Sequence, residues 1–441
     1  MTSVFSDTSN AAANLSQRDI APLSEIAKFR TATLSNGLRI CAEVDPRGYS
    51  ASFGYFVRTG ARDETDAEDG LSHFLEHMLF KGTPTRSAAD VNRGLDELGG
   101  NSNAFTSEEQ TVYYATVLPK YQSRIVDLLT DIMRPSLRDE DFETERQVIL
   151  EEIAKYEDQP PFGGFERIME LKFGCRGLGR RILGTTESIS GMAPETMRAY
   201  FQRRYHCGNI VLAAAGNLDF DALVAQCETL TSQWTPGTMP ENGFEVATLP
   251  VDETEYESHL PVEIAHQAYC LRMLDSPGSG SHDRYAARLL AAILGDDGGS
   301  RLFWELVDTG RAEAASVWSQ EFLDCGAMFQ YLIGRPDEMD ALRQDMRGII
   351  DATLTGETPI TQEELDQSKN RAISSCILQT ERPSNRLFNV GGRHLVGMPY
   401  LSLDGILESY RAVTLEDLRR VALQIHASQL TEVNVGIAAQ N

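Results

Sequence analysis

The run Gly70-Leu71-Ser72-His73-Phe74-Leu75-Glu76-His77-Met78-Leu79-Phe80 constrains this chain more than any other segment. It sets two imidazoles and a carboxylate at i, i+3 and i+4 among large apolar residues. On a helix of about 3.6 residues per turn, His73, Glu76 and His77 share one face. Leu71, Phe74, Leu75, Met78 and Leu79 make the segment nearly apolar, so its polar face is partly buried too. Ionisable groups buried in this way are costly unless paired or bound to a metal. Two neutral imidazoles one turn apart can hold one Zn²⁺ and leave Glu76 free to act on water. The order H-x-x-E-H reverses the commoner H-E-x-x-H, and Gly82 and Pro84 end the helix. Taken alone, the pentapeptide also fits a helix whose histidines merely hydrogen-bond to backbone or carboxylates.

A catalytic zinc site needs a third protein ligand and keeps the fourth position open. Residues 142–153 supply the best candidates. They read as a helix with Phe142, Ile149 and Ile153 on an apolar stripe. Glu145 and Glu152 are two turns apart and face one way, whereas Glu151 is rotated by about 100° from Glu152. Acidic residues on a long helix are usually a solvated face, so spacing alone leaves the ligand undecided.

H-x-x-E-H followed about 75 residues later by Glu145-Arg146-Gln147-Val148-Ile149-Leu150-Glu151-Glu152-Ile153 resembles the pitrilysin/insulinase family of inverzincin metallopeptidases. The likeness is to its shorter branch, with the mitochondrial processing peptidase subunits and bacterial homologues, and spans roughly residues 30–441. Residues 60–64, 80–83, 103–106, 112–114, 182–185 and 213–217 match as well. The resemblance implies metal-ligand roles for His73, His77 and Glu152, a base role for Glu76 and a supporting acidic role for Glu145. It implies that Asn103, Ala104 and Phe105 lie on an edge strand that takes an extended, unfolded peptide substrate by strand addition. It also implies a homodimer, or a heterodimer with a related subunit. Active members carry an Arg and a Tyr seven apart after a Ser-Arg-Leu-Phe segment. Here Ser300-Arg301-Leu302-Phe303 is followed by Val307 and Ala314 at those places, with Arg301 and Arg311 as the nearby candidates to substitute. Three readings follow: an active zinc endopeptidase, a zinc-bearing subunit completed by a partner chain, and a non-catalytic assembly protein of the same fold.

Composition excludes other classes. A formal charge of −25 repels nucleic acid and anionic membrane surfaces. No run approaches 18 apolar residues, so no membrane-spanning helix is expected. The 7 cysteines are scattered, odd in number and without a C-x-x-C pair. That pattern points to a reducing compartment rather than a disulfide framework. Residues 1–29 lack a basic start and an apolar core, and a cytoplasmic protein with a frayed N-terminus is expected.

The predicted fold is α+β: two homologous α/β-sandwich halves related by internal duplication, each a mostly antiparallel sheet covered by helices, enclosing a cleft. Residues 30–235 are the expected zinc-binding half, 236–255 a linker and 256–441 a half without metal. In the first half, alternation predicts strands at 33–43, 52–58, 111–117 and 209–214. Helices are predicted at 71–80, 88–98, 120–133, 138–155 and 194–204. Strands around 263–274 and 314–334 and helices at 281–294, 336–354 and 362–378 repeat the plan. Residues 187–198 align without gaps on 408–419, with Glu, Ser, Glu and Arg coinciding. At that offset the counterpart of the metal helix falls near 292–300, which holds no histidine. The remaining histidines have no ligand-like spacing and read as structural or surface residues.

Overall fold

The computed structural model describes residues 27–157, 160–237, 256–260 and 267–436. Most of the expected linker and tail therefore lies outside the described residues. The first half contributes β1 (Lys28–Thr33), β2 (Arg39–Val44), β3 (Ala51–Val57), β4 (Asn101–Thr106), β5 (Thr111–Val117) and β6 (Ile210–Gly216). They form one sheet in the order β1-β2-β6-β3-β5-β4. The second half contributes β7 (Tyr256–Leu260), β8 (Ala268–Ser276), β9 (Ala314–Glu321), β10 (Gly326–Gly334) and β11 (Thr431–Val435). Their order is β7-β11-β8-β10-β9.

The two orders superpose: β7 on β2, β11 on β6, β8 on β3, β10 on β5 and β9 on β4. The pairing directions agree as well, with β2–β6 and β7–β11 parallel and the other matched pairs antiparallel. The duplication is thus written in the topology. The aligned segments 187–198 and 408–419 both fall on a helix–helix junction. There Met192 (φ −71°, ψ 137°) and Val413 (φ −60°, ψ 132°) take the same extended turn.

Two expectations are corrected. Residues 33–43 are not one strand but the hairpin β1–β2, turned at Asn36-Gly37, where Asn36 Oδ1 accepts the Leu38 N–H at 3.0 Å. The alternation ran through this turn and concealed it. The counterpart of the metal helix is Arg284–Gly295, not 292–300. The connection from β8 to that helix spans residues 277–283, shorter than the 58–70 that lead from β3 to Leu71–Leu79. The fixed offset therefore overshot.

β3 and β6 are buried at every position, so both faces of the first sheet are covered. One face packs on the half's own helices, including Leu71–Leu79 and Gln122–Ile132. The other is covered by Pro383–Leu395, a helix of the second half, whose Leu387 and Val390 join Phe56, Val112 and Val211. The loan is reciprocal. Helix Pro160–Phe173 of the first half lies on β8 and β11, with Ile168 against the Leu271–Val433 core. Glycine permits the close approach in both cases. A Cβ on Gly391 would lie 2.4 Å from the Phe56 ring, and one on Gly164 2.9 Å from Leu271.

The halves also meet at their β4–β5 and β9–β10 turns. Arg62 reaches Glu109 at 2.6 Å and Asp324 at 2.8 Å, and Glu109 accepts the Leu323 N–H at 3.0 Å. All seven cysteines are free. Among the described residues no helix is long and apolar enough to cross a membrane.

Candidate metal centre

The helix Leu71–Leu79 starts without a side-chain cap of its own. The carboxylate of Glu64 supplies one from the preceding loop, accepting from the Gly70 N–H at 2.8 Å and the Ser72 N–H at 2.6 Å. It thereby satisfies backbone donors that helix geometry leaves open. Ser72 Oγ bonds Tyr200 Oη at 2.6 Å, and Tyr200 Oη meets Thr59 Oγ1 at 2.7 Å. The apolar side of the helix is wholly buried. A helix held in this way presents its polar face in one orientation.

On that face stand His73 and His77, their rings 4.7 Å apart. The helix Asp139–Glu157 crosses them and brings Glu152 Oε2 to 3.8 Å from His73 Nε2 and 3.7 Å from His77 Nε2. The three donor atoms all lie within 4.8 Å of one another. Ligand atoms of a tetrahedral zinc with bonds near 2.1 Å are separated by about 3.4 Å, so small adjustments complete the geometry. Burial, aided by the neighbouring His77, pushes His73 down to about 3, which keeps it neutral as a ligand must be. Two imidazole nitrogens and one carboxylate oxygen form a donor set that suits zinc. Among the described residues no other cluster of this kind occurs.

The structure separates the glutamates that spacing left open. Glu151 is exposed. Glu145, 3% exposed, bonds His77 Nδ1 at 3.1 Å and pairs with Lys81. Burial would raise the Glu145 carboxyl, but the hydrogen bonds from His77 and Lys81 hold it below the usual range. Burial would lower His77, yet the Glu145 hydrogen bond and the surrounding carboxylates leave it raised. A carboxylate behind a ligating imidazole fixes its tautomer and orientation. Glu145→Gln is therefore expected to weaken zinc affinity about 10- to 100-fold, measured by competition with a chromogenic chelator. Unchanged affinity would leave Glu145 without that role.

Glu76 projects beside the donors. Burial raises its carboxyl, against a hydrogen bond from Thr106 Oγ1 at 2.7 Å. Thr106 ends β4, and among the described residues β4 is an edge strand paired only with β5. Asn103 Oδ1 occupies the Ala104 N–H at 2.9 Å. The Phe105 side chain packs on Phe388 with ring centroids 5.7 Å apart. Of the three residues expected to bind substrate, Phe105 thus has its side chain committed to the helix Pro383–Leu395.

The places of the expected Arg/Tyr pair hold Val307, at the end of a π-helical turn, and Ala314, at the start of β9. The candidate substitutes are engaged elsewhere. Arg301 bonds Glu364, Thr353 and the carbonyls of Thr358 and Pro359. Arg311 pairs with Asp345. Sequence reasoning missed Glu64, Thr106 and Lys81. Lys81 follows His77 at i+4, a spacing that could have flagged it. Glu64 caps from a loop, and no local pattern marks it.

Fold and site together define an H-x-x-E-H metallopeptidase scaffold. The insulinase (peptidase family M16) model matches residues 39–186, and the peptidase M16 inactive-domain model matches residues 192–372. An uncharacterised zinc protease of Streptomyces coelicolor is 32% identical over 91% of this chain and 88% of its own length. The uncharacterised zinc protease YmxG of Bacillus subtilis is 31% identical, over 89% and 94%. A protease from Helicobacter pylori shares the fold with a TM-score of 0.85 at 21% identity, over 93% of this chain and 99% of that one. The chain belongs to the M16 peptidase family.

Proposed function

We propose that this chain is a zinc-dependent endopeptidase acting on short or unfolded peptides. The observation that carries the reading is convergence. His73, His77 and Glu152 meet at one point, with Glu76 beside them, bonded to the last residue of an open edge strand. Zinc held by these three residues would supply a Lewis acid that polarises the scissile carbonyl and acidifies water. Thr106 holds one oxygen of Glu76, leaving the other to take the water proton and pass it to the leaving amine. Burial raises the Glu76 carboxyl toward the working range of a general base. Glu145 keeps His77 oriented. Tyr156, one turn beyond Glu152, lines an apolar cavity of about 270 Å³ with Phe162 and Phe165. That cavity offers room for a substrate side chain.

An extended peptide would pair with the free edge of β4, displacing Asn103 Oδ1 from the Ala104 N–H. Proline has no N–H to donate. Ala104→Pro is therefore expected to raise KM sharply with a smaller change in kcat in steady-state assays, and an unchanged KM would remove β4 from substrate binding.

Val307 and Ala314, with Arg301 and Arg311 engaged elsewhere, favour one variant of the reading: a related subunit supplies the missing carbonyl and oxyanion donors. The test is to assay the purified chain on a quenched, unstructured basic peptide, alone and mixed with a related subunit. Each assay is run with and without a zinc chelator. Cleavage that a chelator abolishes and zinc restores is expected. Cleavage only on mixing selects the two-subunit form, and no cleavage in any arm overturns the proposal.

A further inference from the structure

The duplication gives the zinc chamber a counterpart, and its chemistry is different. Helix Arg284–Gly295 stands where Leu71–Leu79 stands in the first half, and β9 where β4 stands. Helix Pro383–Leu395 stands where Pro160–Phe173 stands. Between these elements and the β4–β5 turn lies a cavity of about 480 Å³. Arg284, Arg288 and Arg393 all line it. Arg288 contacts Glu321, the last residue of β9, at 2.6 Å, much as Glu76 contacts Thr106, the last residue of β4. Basic groups thus occupy the helix that carries histidines and a glutamate in the first half.

Carboxylates are shared unevenly among them. Glu321 is the carboxylate shared by Arg288 and Arg284, the latter at 3.9 Å. Arg284 is otherwise bonded to the Ser279 carbonyl and to Tyr285 Oη. Glu109, also on the cavity wall, is taken by Arg62 and the Leu323 N–H. Burial raises the Glu108 carboxyl, against a backbone hydrogen bond that lowers it. Arg393 donates Nε to the Pro399 carbonyl at 2.9 Å and makes no ion pair among the described residues. Burial, followed by the nearby Arg284 charge, disfavours its charged state, a penalty that an anion in the cavity would relieve. Phe105, Phe388 and Met398 supply an apolar wall beside it.

From this placement we infer that the cavity between the halves is a second peptide subsite, in which Arg393, with Arg284 and Arg288, holds a carboxylate of the substrate away from the scissile bond. The inference rests on the peptidase reading for its ligand. Its location suits that ligand. Glu108 lines both this cavity and the apolar one beside Tyr156, and the turn that follows Thr106 forms part of its wall. The two cavities therefore adjoin at Glu108, and a peptide paired with β4 would reach the arginines by passing the turn at the end of that strand, round the edge of the sheet. The carboxylate has two possible sources, the chain end and an acidic side chain.

The test measures binding rather than turnover. A fluorescent, unstructured peptide is titrated by anisotropy against the chelator-treated chain in three forms: free C-terminal acid, C-terminal amide without acidic residues, and C-terminal amide carrying one glutamate. At least one carboxylate form is expected to bind about tenfold more tightly than the neutral amide, and which form does so identifies the source. Arg393→Gln should erase that preference while leaving the neutral amide's affinity unchanged, and Arg393→Lys should restore part of it. A thermal melt confirms that each variant is folded. Equal binding of all three peptides to the unaltered chain, binding of none, or a preference that survives Arg393→Gln overturns the inference. A carboxylate preference in a chain that cleaves nothing would refute the peptidase reading and leave the subsite standing.

Discussion

Glu76→Gln is expected to yield a folded chain that binds zinc with unaltered stoichiometry and cleaves peptide about 10²- to 10⁴-fold more slowly. The geometry motivates both halves of that expectation. His73, His77 and Glu152 converge without Glu76, so the substitution leaves the donor set intact. Glutamine keeps the shape of the side chain, and its amide oxygen can still accept from Thr106 Oγ1. What it cannot do is take a proton from water. The loss should fall on kcat, because the edge of β4 that would bind the peptide is untouched. Metal analysis and steady-state kinetics on one preparation decide the matter. Undiminished zinc-dependent cleavage would show that another group is the base. A zinc content that falls together with the rate would instead move Glu76 into the ligand set.

The site was legible where its information is local. The i, i+3, i+4 spacing of His73, Glu76 and His77 needs only helix geometry to place them on one face, and the structure places them there. Glu152 was less so. It lies on a separate helix, and its choice over Glu151 depends on how that helix crosses the first. The hairpin at Asn36-Gly37 was hidden by apolar alternation on both sides of the turn. The exchanged helices were illegible for a different reason. Pro383–Leu395 was not among the expected helices, and the face that receives it is made by β2, β3 and β6, far away in sequence. Nothing local tells a helix which of two similar sheets it will cover. The same distance conceals the polar contacts of the interface, such as Arg39 donating to the His394 carbonyl at 2.8 Å.

That exchange should dominate stability, and its weakest point is polar. Arg386, on the lent helix, donates Nε to Glu43 Oε1 of β2 at 2.7 Å, and its second contact makes the pair bidentate. Tyr400 Oη donates to the same carboxylate at 2.5 Å. Glu43 is 8% exposed and Arg386 6%, so neither charge can turn to water if the other is removed. Breaking a buried pair from one side commonly costs about 3–5 kcal/mol, whereas replacing both partners by apolar residues of similar volume is close to neutral. Arg386→Ala is therefore expected to lower the unfolding free energy by about 3–5 kcal/mol in urea denaturation. The Glu43→Leu, Arg386→Met double variant should recover most of that loss. The metal helix lies on the opposite face of the sheet from Pro383–Leu395, so zinc affinity should change little while the fold persists. A loss below about 1 kcal/mol for Arg386→Ala, within the range of exposed pairs, would mean that apolar contacts such as Leu387 against Phe56 hold the lent helix without the ion pair.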